Sequence, residues 1–200
     1  MQMPPLATNR LLVRPFALDD LAAAHRILDM ELGEADTGTE GTLAIEQRRA
    51  WLEWSALSYE QLAYLHQPPY GDRAIALRET GELVGACGYV QCLGPFGLLP
   101  SLRAGLSEAT ARLFTPEFGL YWAISPAHQR QGYATEAAAA LIDYAFAQLQ
   151  LRRIVATTAY DNIASQGVMR RLGMRIEHNP STEPPWFQVV GILEHNLAIS

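Results

Sequence analysis

Residues 117–149, "EFGLYWAISPAHQRQGYATEAAAALIDYAFAQL", constrain the fold more than any other stretch. An apolar run with strand character (117–124) gives way to a polar loop holding one glycine. An alanine-rich helix then begins near Gly132. Its apolar positions are Ala134, Ala137, Ala138, Leu141, Ile142, Ala145 and Leu149, the spacing of a helix laid on a sheet. The first turn of such a helix leaves backbone N–H groups without acceptors and carries partial positive charge, so it attracts anions. Gly132 lets an anion approach the backbone, and the small Ala134 keeps the next position open. A helix start with a turn glycine fits the same residues, so the glycine alone leaves both readings open. The chain contains no lysine, which excludes the lysine-bearing phosphate loop.

The rest of the chain supplies partners for this unit. Residues 10–16 read as a first strand. Residues 17–32 read as a helix with Asp19 as N-cap and Leu21, Ala24, Leu28 and Leu32 on its apolar side. A loop (33–42) leads to a second helical region (43–65), with a break near Ser58. Residues 73–79 and 83–93 form a hairpin signal. Residues 94–116 interrupt the pattern as an insert, with an amphipathic stretch marked by Leu102, Leu106, Ala109 and Leu113. A strand (152–160), a short helix (162–172) and two strands (174–179, 186–197) complete the order β-α-α-β-β-insert-β-α-β-α-β-β. The expectation is an α/β (α+β) fold, a single domain over 1–200 with a mixed central sheet of about seven strands.

Composition narrows the function classes. Hydrophobic residues make up 49% and charged residues 18%, which places the chain in the globular class. A formal net charge of −6 disfavours a nucleic-acid surface. No uncharged apolar run approaches the ~18 residues of a membrane span, and the N-terminus lacks signal-peptide character. A cytoplasmic protein with neither nucleic-acid nor membrane partners is expected. All fifteen basic residues are arginine, so no lysine nucleophile or Schiff base is available. Cys87 and Cys92 match neither a redox pair nor a zinc set, and no metal is expected. "HRILD" (25–29) fits an HxxxD pattern but lies inside a predicted amphipathic helix and is set aside. GxSxG, HExxH and GxGxxG are absent from the sequence, which removes three rival enzyme classes.

Two motifs then combine. "QRQGYA" fits Gln/Arg-x-x-Gly-x-Gly/Ala after a strand and at a helix start, and "DNIASQGVMRRLGM" follows one strand later. Together with the opening "TNRLLVRPFALDDLAAAHRIL", they resemble the GCN5-related N-acetyltransferase (GNAT) superfamily, in its ribosomal-protein N-terminal acetyltransferase-like branch. The resemblance covers nearly the whole chain except 94–116. It implies a sheet splayed between the strands at 117–124 and 152–160, with acetyl-CoA wedged there as co-substrate. It implies that the loop Gln129, Arg130, Gln131, Gly132, Tyr133, Ala134 and Thr135 holds the pyrophosphate through backbone N–H groups. It also implies that the backbone of Ala123 and Ile124 pairs with the pantetheine arm and offers an N–H to the oxyanion. Asn162 and Ser165 match the second motif, with Ser165 beside the CoA sulfur as a proton relay. Asn162 also fits a plain N-cap, and Ser165 fits a local backbone contact.

One position departs from the family. Many relatives carry a tyrosine acid four residues beyond the Ser165 position, where this chain has Met169. Ser165 or a water is left for that role. An amine acceptor must lose a proton before attack, and Glu117 and Tyr121 are the candidate bases. His128 reads as surface. The expected activity is acetyl transfer to a primary amine, on a protein N-terminus or a small molecule, by direct attack in a ternary complex. A CoA-binding sensor or scaffold without catalysis is the alternative. The insert is expected to act as a lid or a homodimer contact shaping acceptor choice, with 33–42 and 55–70 forming the rest of the acceptor wall.

Overall fold

In the computed structural model, which describes residues 2–33, 42–181 and 183–195, eight strands form one mixed sheet in the order β1-β2-β3-β4-β5-β6-β8-β7. The strands are β1 (Leu6–Ala7), β2 (Leu11–Pro15), β3 (Gly71–Leu77), β4 (Leu83–Gly94), β5 (Thr115–Ile124), β6 (Arg153–Thr158), β7 (Arg175–His178) and β8 (Val189–Glu194). The α-helices are α1 (Leu21–His25), α2 (Ile45–Tyr64), α3 (Glu108–Ala111), α4 (Tyr133–Ala147) and α5 (Ile163–Arg171). The eighth strand is the two-residue β1, too short to show an alternating pattern. No helix among the described residues is long and apolar enough to cross a membrane.

The chain divides into two compact units, Met1–Tyr89 with Tyr121–Asp143 and Val90–Leu120 with Tyr144–Ser200. The first unit holds the meander β2-β3-β4, antiparallel throughout, with Val13 opposite Ile75 and Arg73 opposite Cys87. Its core gathers Phe16, Leu21, Ile27, Leu28 and Leu52 around Ala74, Ala86 and Ala123. On α4, Ala137, Ala138 and Leu141 are fully buried, and the Tyr89 hydroxyl donates to the Leu141 carbonyl at 2.6 Å. Of the face expected from the sequence, Ala137, Ala138, Leu141, Ile142 and Ala145 are buried, Ala134 is half-buried, and Leu149 lies beyond the end of α4.

The segment expected as one helix over 17–32 is instead three pieces. A 3-10 turn at Leu18–Asp20 runs into α1, and a π-helical turn follows at Arg26–Glu31. Asp20, not Asp19, closes the entry, its carboxylate accepting from the Ala17 N–H at 2.8 Å and from Arg14. The wider π turn carries Asp29 inward, where Arg48 of α2 meets it with Nε–Oδ2 at 2.8 Å and Nη2–Oδ1 at 2.6 Å. The expected break near Ser58 does not occur. Ser58 Oγ donates back to the Trp54 carbonyl at 2.7 Å, a bond a continuous helix accommodates.

Beneath α2 lies one carboxyl with unusual acidity. Burial pushes Asp72 up to about 6, against attraction from Arg48. Its folded value therefore lies above its ordinary value of 3.8. The folded chain keeps this proton longer, so the carboxyl opposes folding increasingly as pH rises from about 4 to about 6. Asp72→Asn is expected to match the parent's stability near pH 3.5 and to exceed it by up to about 3 kcal/mol at neutral pH. Urea denaturation at several pH values measures the difference. A gap independent of pH would contradict this assignment.

The second unit pairs β6 with β8 antiparallel over six residues and β8 with β7 over four. β5 and β6 pair in parallel at Gly119↔Val155, the orientation a connecting helix permits. Its core contains Phe96, Leu99, Val155, Phe187, Val190 and Ile192. The 94–116 segment contributes Phe96 and Leu99 to that core, and its amphipathic stretch holds only one short helix. Two 3-10 turns (Phe96–Leu98 and Pro100–Leu102) precede the four-residue α3, whose N-cap is Ser107. Leu106 and Leu113 are exposed, and Ala111 is buried in their place.

Candidate active site

The loop between β5 and α4 lies wholly in the first unit and is built by side chains from elsewhere in the chain. Ser125 is fully buried. Its N–H donates to the Val84 carbonyl at 2.9 Å, and its hydroxyl donates to Glu31. A 3-10 turn (Pro126–His128) follows. Gln129 folds back so that its Nε2 donates to the Ile124 carbonyl at 3.0 Å. Arg130 and Gly132 then adopt positive φ angles of 60° and 83°. Left-handed residues occur in the backbone nests that hold anions in other proteins. Gly132 has the conformation that glycine adopts at least cost.

Two further features mark the loop. The Thr135 hydroxyl, in the first turn of α4, is buried and has no hydrogen-bond partner; burying such a group is costly unless something accepts from it or donates to it. Arg10 also lies across the loop. Its Nη1 donates to the Gln131 carbonyl at 2.9 Å, and its guanidinium stands 4.6 Å over the Tyr133 ring. Glu136 anchors Arg10 by accepting from its backbone N–H at 2.8 Å and from Nε at 2.7 Å, and it also accepts from the Thr8 hydroxyl at 2.6 Å. Burial works against the charge of Glu136, but the Thr8 and Arg10 donors outweigh it and hold the carboxyl below its ordinary value. Thr8, Arg10 and Glu136 escape a reading by motif, because the contact joins residues 126 positions apart and nothing local marks it.

The other sequence candidates fall as follows. Ala123 and Ile124 are buried at the end of β5. Tyr121 is half-buried against the core of the first unit. His128, expected at the surface, is half-buried there. Its side chain is 18% exposed, with Nε2 3.7 Å from Glu82 and Nδ1 buried. His25 and Asp29, the HxxxD pair, serve structure: His25 Nε2 contacts the Leu43 carbonyl at 2.8 Å, and Asp29 holds Arg48. Of the expected acceptor wall, residues 34–41 lie outside the described residues.

Asn162 and Ser165 belong to the second unit. Asn162 caps α5, its Oδ1 accepting from the Ser165 N–H at 3.0 Å. Ser165 is half-buried in the first turn. Met169 is fully buried and belongs to the core. Asn162→Ala is expected to cost about 1 kcal/mol through the lost cap, read by urea denaturation. Asn162→Asp should retain most of that stability. Glu117, expected at a solvated strand end or as a base, is clasped by Arg153. Arg153 Nε donates to Oε2 at 3.0 Å and Nη2 donates to Oε1.

A loop of this construction between a central strand and a helix defines a class, and comparison with known proteins agrees. Residues 10–175 match the model of the acetyltransferase (GNAT) domain. The chain belongs to this family and is an N-acetyltransferase. It is 46% identical over 176 residues to YnaD of Bacillus subtilis (strain 168), an uncharacterized N-acetyltransferase, covering 86% of this chain and 83% of the relative. The crystal structure of an acetyltransferase from Agrobacterium tumefaciens str. C58 superimposes with a TM-score of 0.68 at 25% identity, covering 97% of this chain and 96% of that one. The ribosomal-protein-S5-alanine acetyltransferase of Vibrio fischeri shares the fold, with a TM-score of 0.66 at 14% identity over 96% of this chain and 97% of that one.

Proposed function

We propose that the protein transfers the acetyl group of acetyl-CoA to a primary amine by direct attack. The observation that carries this reading is the Gln129–Thr135 loop. Arg130 and Gly132 are left-handed, Arg10 adds a guanidinium, and the buried Thr135 hydroxyl lacks a partner. All three features suit a pyrophosphate. Acetyl-CoA supplies an activated thioester when bound. The chain's residues do the rest: the backbone of Ala123 and Ile124 aligns the pantetheine arm, with an N–H toward the developing oxyanion. Ser165 relays a proton to the departing thiolate. The Tyr121 hydroxyl takes the amine's proton as it passes its own to water, so the phenol stays neutral. Glu117, already clasped by Arg153, is better suited to holding a charge than to moving a proton. Direct attack needs no cysteine, and Cys87 is fully buried, with burial pushing its thiol up.

Calorimetric titration with CoA and acetyl-CoA tests the cradle, and thiol release across a panel of amines tests the transfer. Ser165→Ala and Tyr121→Phe are expected to lower kcat while leaving CoA affinity nearly unchanged. Absence of CoA binding in the parent chain would defeat the proposal.

A further inference from the structure

The segment between β4 and β5 forms a fixed wall in the second unit. Phe96 meets Phe187 edge to face, with centroids 4.9 Å apart. The Ser101 N–H donates to the Glu177 carboxylate at 3.1 Å. Gly97 lies so close to α3 that a Cβ there would stand 2.8 Å from the Ala111 Cα. Between this wall and the start of β5 is a cavity of about 460 Å³, the size of a small-molecule site.

The cavity has two kinds of surface. Phe96, Leu102, Leu106 and Leu113 give it apolar sides, while Glu117 and Arg153 present charge within it. Arg153 also reaches Glu194, Nη1 to Oε1, at 3.4 Å. One guanidinium thus serves two carboxylates, and the group carries a net negative charge. The clasp from Arg153 fixes the orientation of Glu117, whose side chain is 12% exposed. A charge held in place at an apolar wall attracts a cation more strongly than the same charge in water.

We infer that this cavity binds a small amphipathic amine, its ammonium at Glu117 and its apolar, preferably aromatic, body against Phe96, Leu102, Leu106 and Leu113. An anion would have to compete with Glu117 and Glu194 for Arg153. A peptide N-terminus would bring backbone amides against leucine and phenylalanine side chains that cannot pair with them. The inference deepens the acetyl-transfer reading and rests on it for the fate of the amine, naming the acceptor class as small hydrophobic amines.

The test is calorimetric titration of the full chain, without CoA, with 2-phenylethylamine, 2-phenylethanol and 3-phenylpropanoate. The amine is expected to bind about tenfold or more tighter than either analogue, the difference made by one charge-assisted contact. Glu117→Gln should bring the amine to the level of the alcohol. Leu113→Arg, at an exposed rim position, leaves the Glu117–Arg153 pair intact and should weaken the amine by placing a second cation near it. Equal binding of amine and alcohol, tightest binding of the propanoate, tighter binding of an alanyl tripeptide amide, or undiminished binding in both variants would overturn the inference. CoA is titrated separately. CoA binding without amine preference defeats only the cavity assignment. Amine preference without CoA binding defeats only the acetyl-transfer reading.

Discussion

Gly132→Val is expected to weaken CoA binding by about a hundredfold or more, through two effects that can be read separately. The first is conformational. Gly132 has a φ of +83°, where an L-residue costs roughly 1–2 kcal/mol, and a β-branched side chain fits worse still. The chain relieves that strain by moving the loop, so the N–H groups on either side no longer converge. The second is steric. A Cβ at this position would stand 3.4 Å from Arg10 Nη2, and the valine methyls would enter the space the anion needs. Losing one or two charge-assisted hydrogen bonds, each worth about 1.5–3 kcal/mol, accounts for the fold-change. Calorimetry reads the affinity, while a thermal melt reads the smaller stability cost. CoA binding at parental affinity would show that this loop is not the pyrophosphate cradle. Arg10→Ala provides a graded comparison: it removes charge but leaves the N–H groups, so a smaller loss is expected.

Asp29→Leu should be the most destabilising single change, at about 3–5 kcal/mol. The Asp29 and Arg48 side chains are 1% and 4% exposed, and they are joined by two hydrogen bonds. Removing the carboxylate strands a guanidinium beneath α2, with the Trp51 face 4.5 Å away and the Asp72 carboxyl as its remaining attraction. The penalty comes from the unpaired charge rather than from the pair's net worth. Asp29→Leu with Arg48→Leu should therefore recover most of the loss, since both charges leave together. Urea denaturation of the two single variants and the double variant measures this coupling. A double variant as unstable as the sum of the singles would contradict it.

Much of the site's scaffold was legible because its cues are local. The buried face of α4, the Asn162 cap and the loop at Gly132 each depend on residues within a turn or two. What escaped reading was long-range. Nothing local in the sequence marks Glu136 as the partner of Thr8 and Arg10. Glu117 looked like a strand-end carboxylate until Arg153 closed on it. In the 94–116 segment the leucine spacing alone did not say which apolar residues are covered. Here Phe96 and Leu99 take the core positions, and Leu106 and Leu113 are left outside.

The sequence by itself determined most of the strands, the helix that follows the Gly132 loop, the Asn162 cap and the absence of lysine chemistry. These follow from periodicity, capping and residue identity, which act along the chain over a few residues. Only the tertiary structure decided which charges are spent on one another. Arg10 is held by Glu136, Arg48 by Asp29, and Arg153 stands between Glu117 and Glu194. A side chain's charge is written in the sequence, but its partner is fixed only when packing brings distant segments within hydrogen-bond reach. Whether a carboxylate holds the fold, steadies a loop or receives an amine depends on that partner.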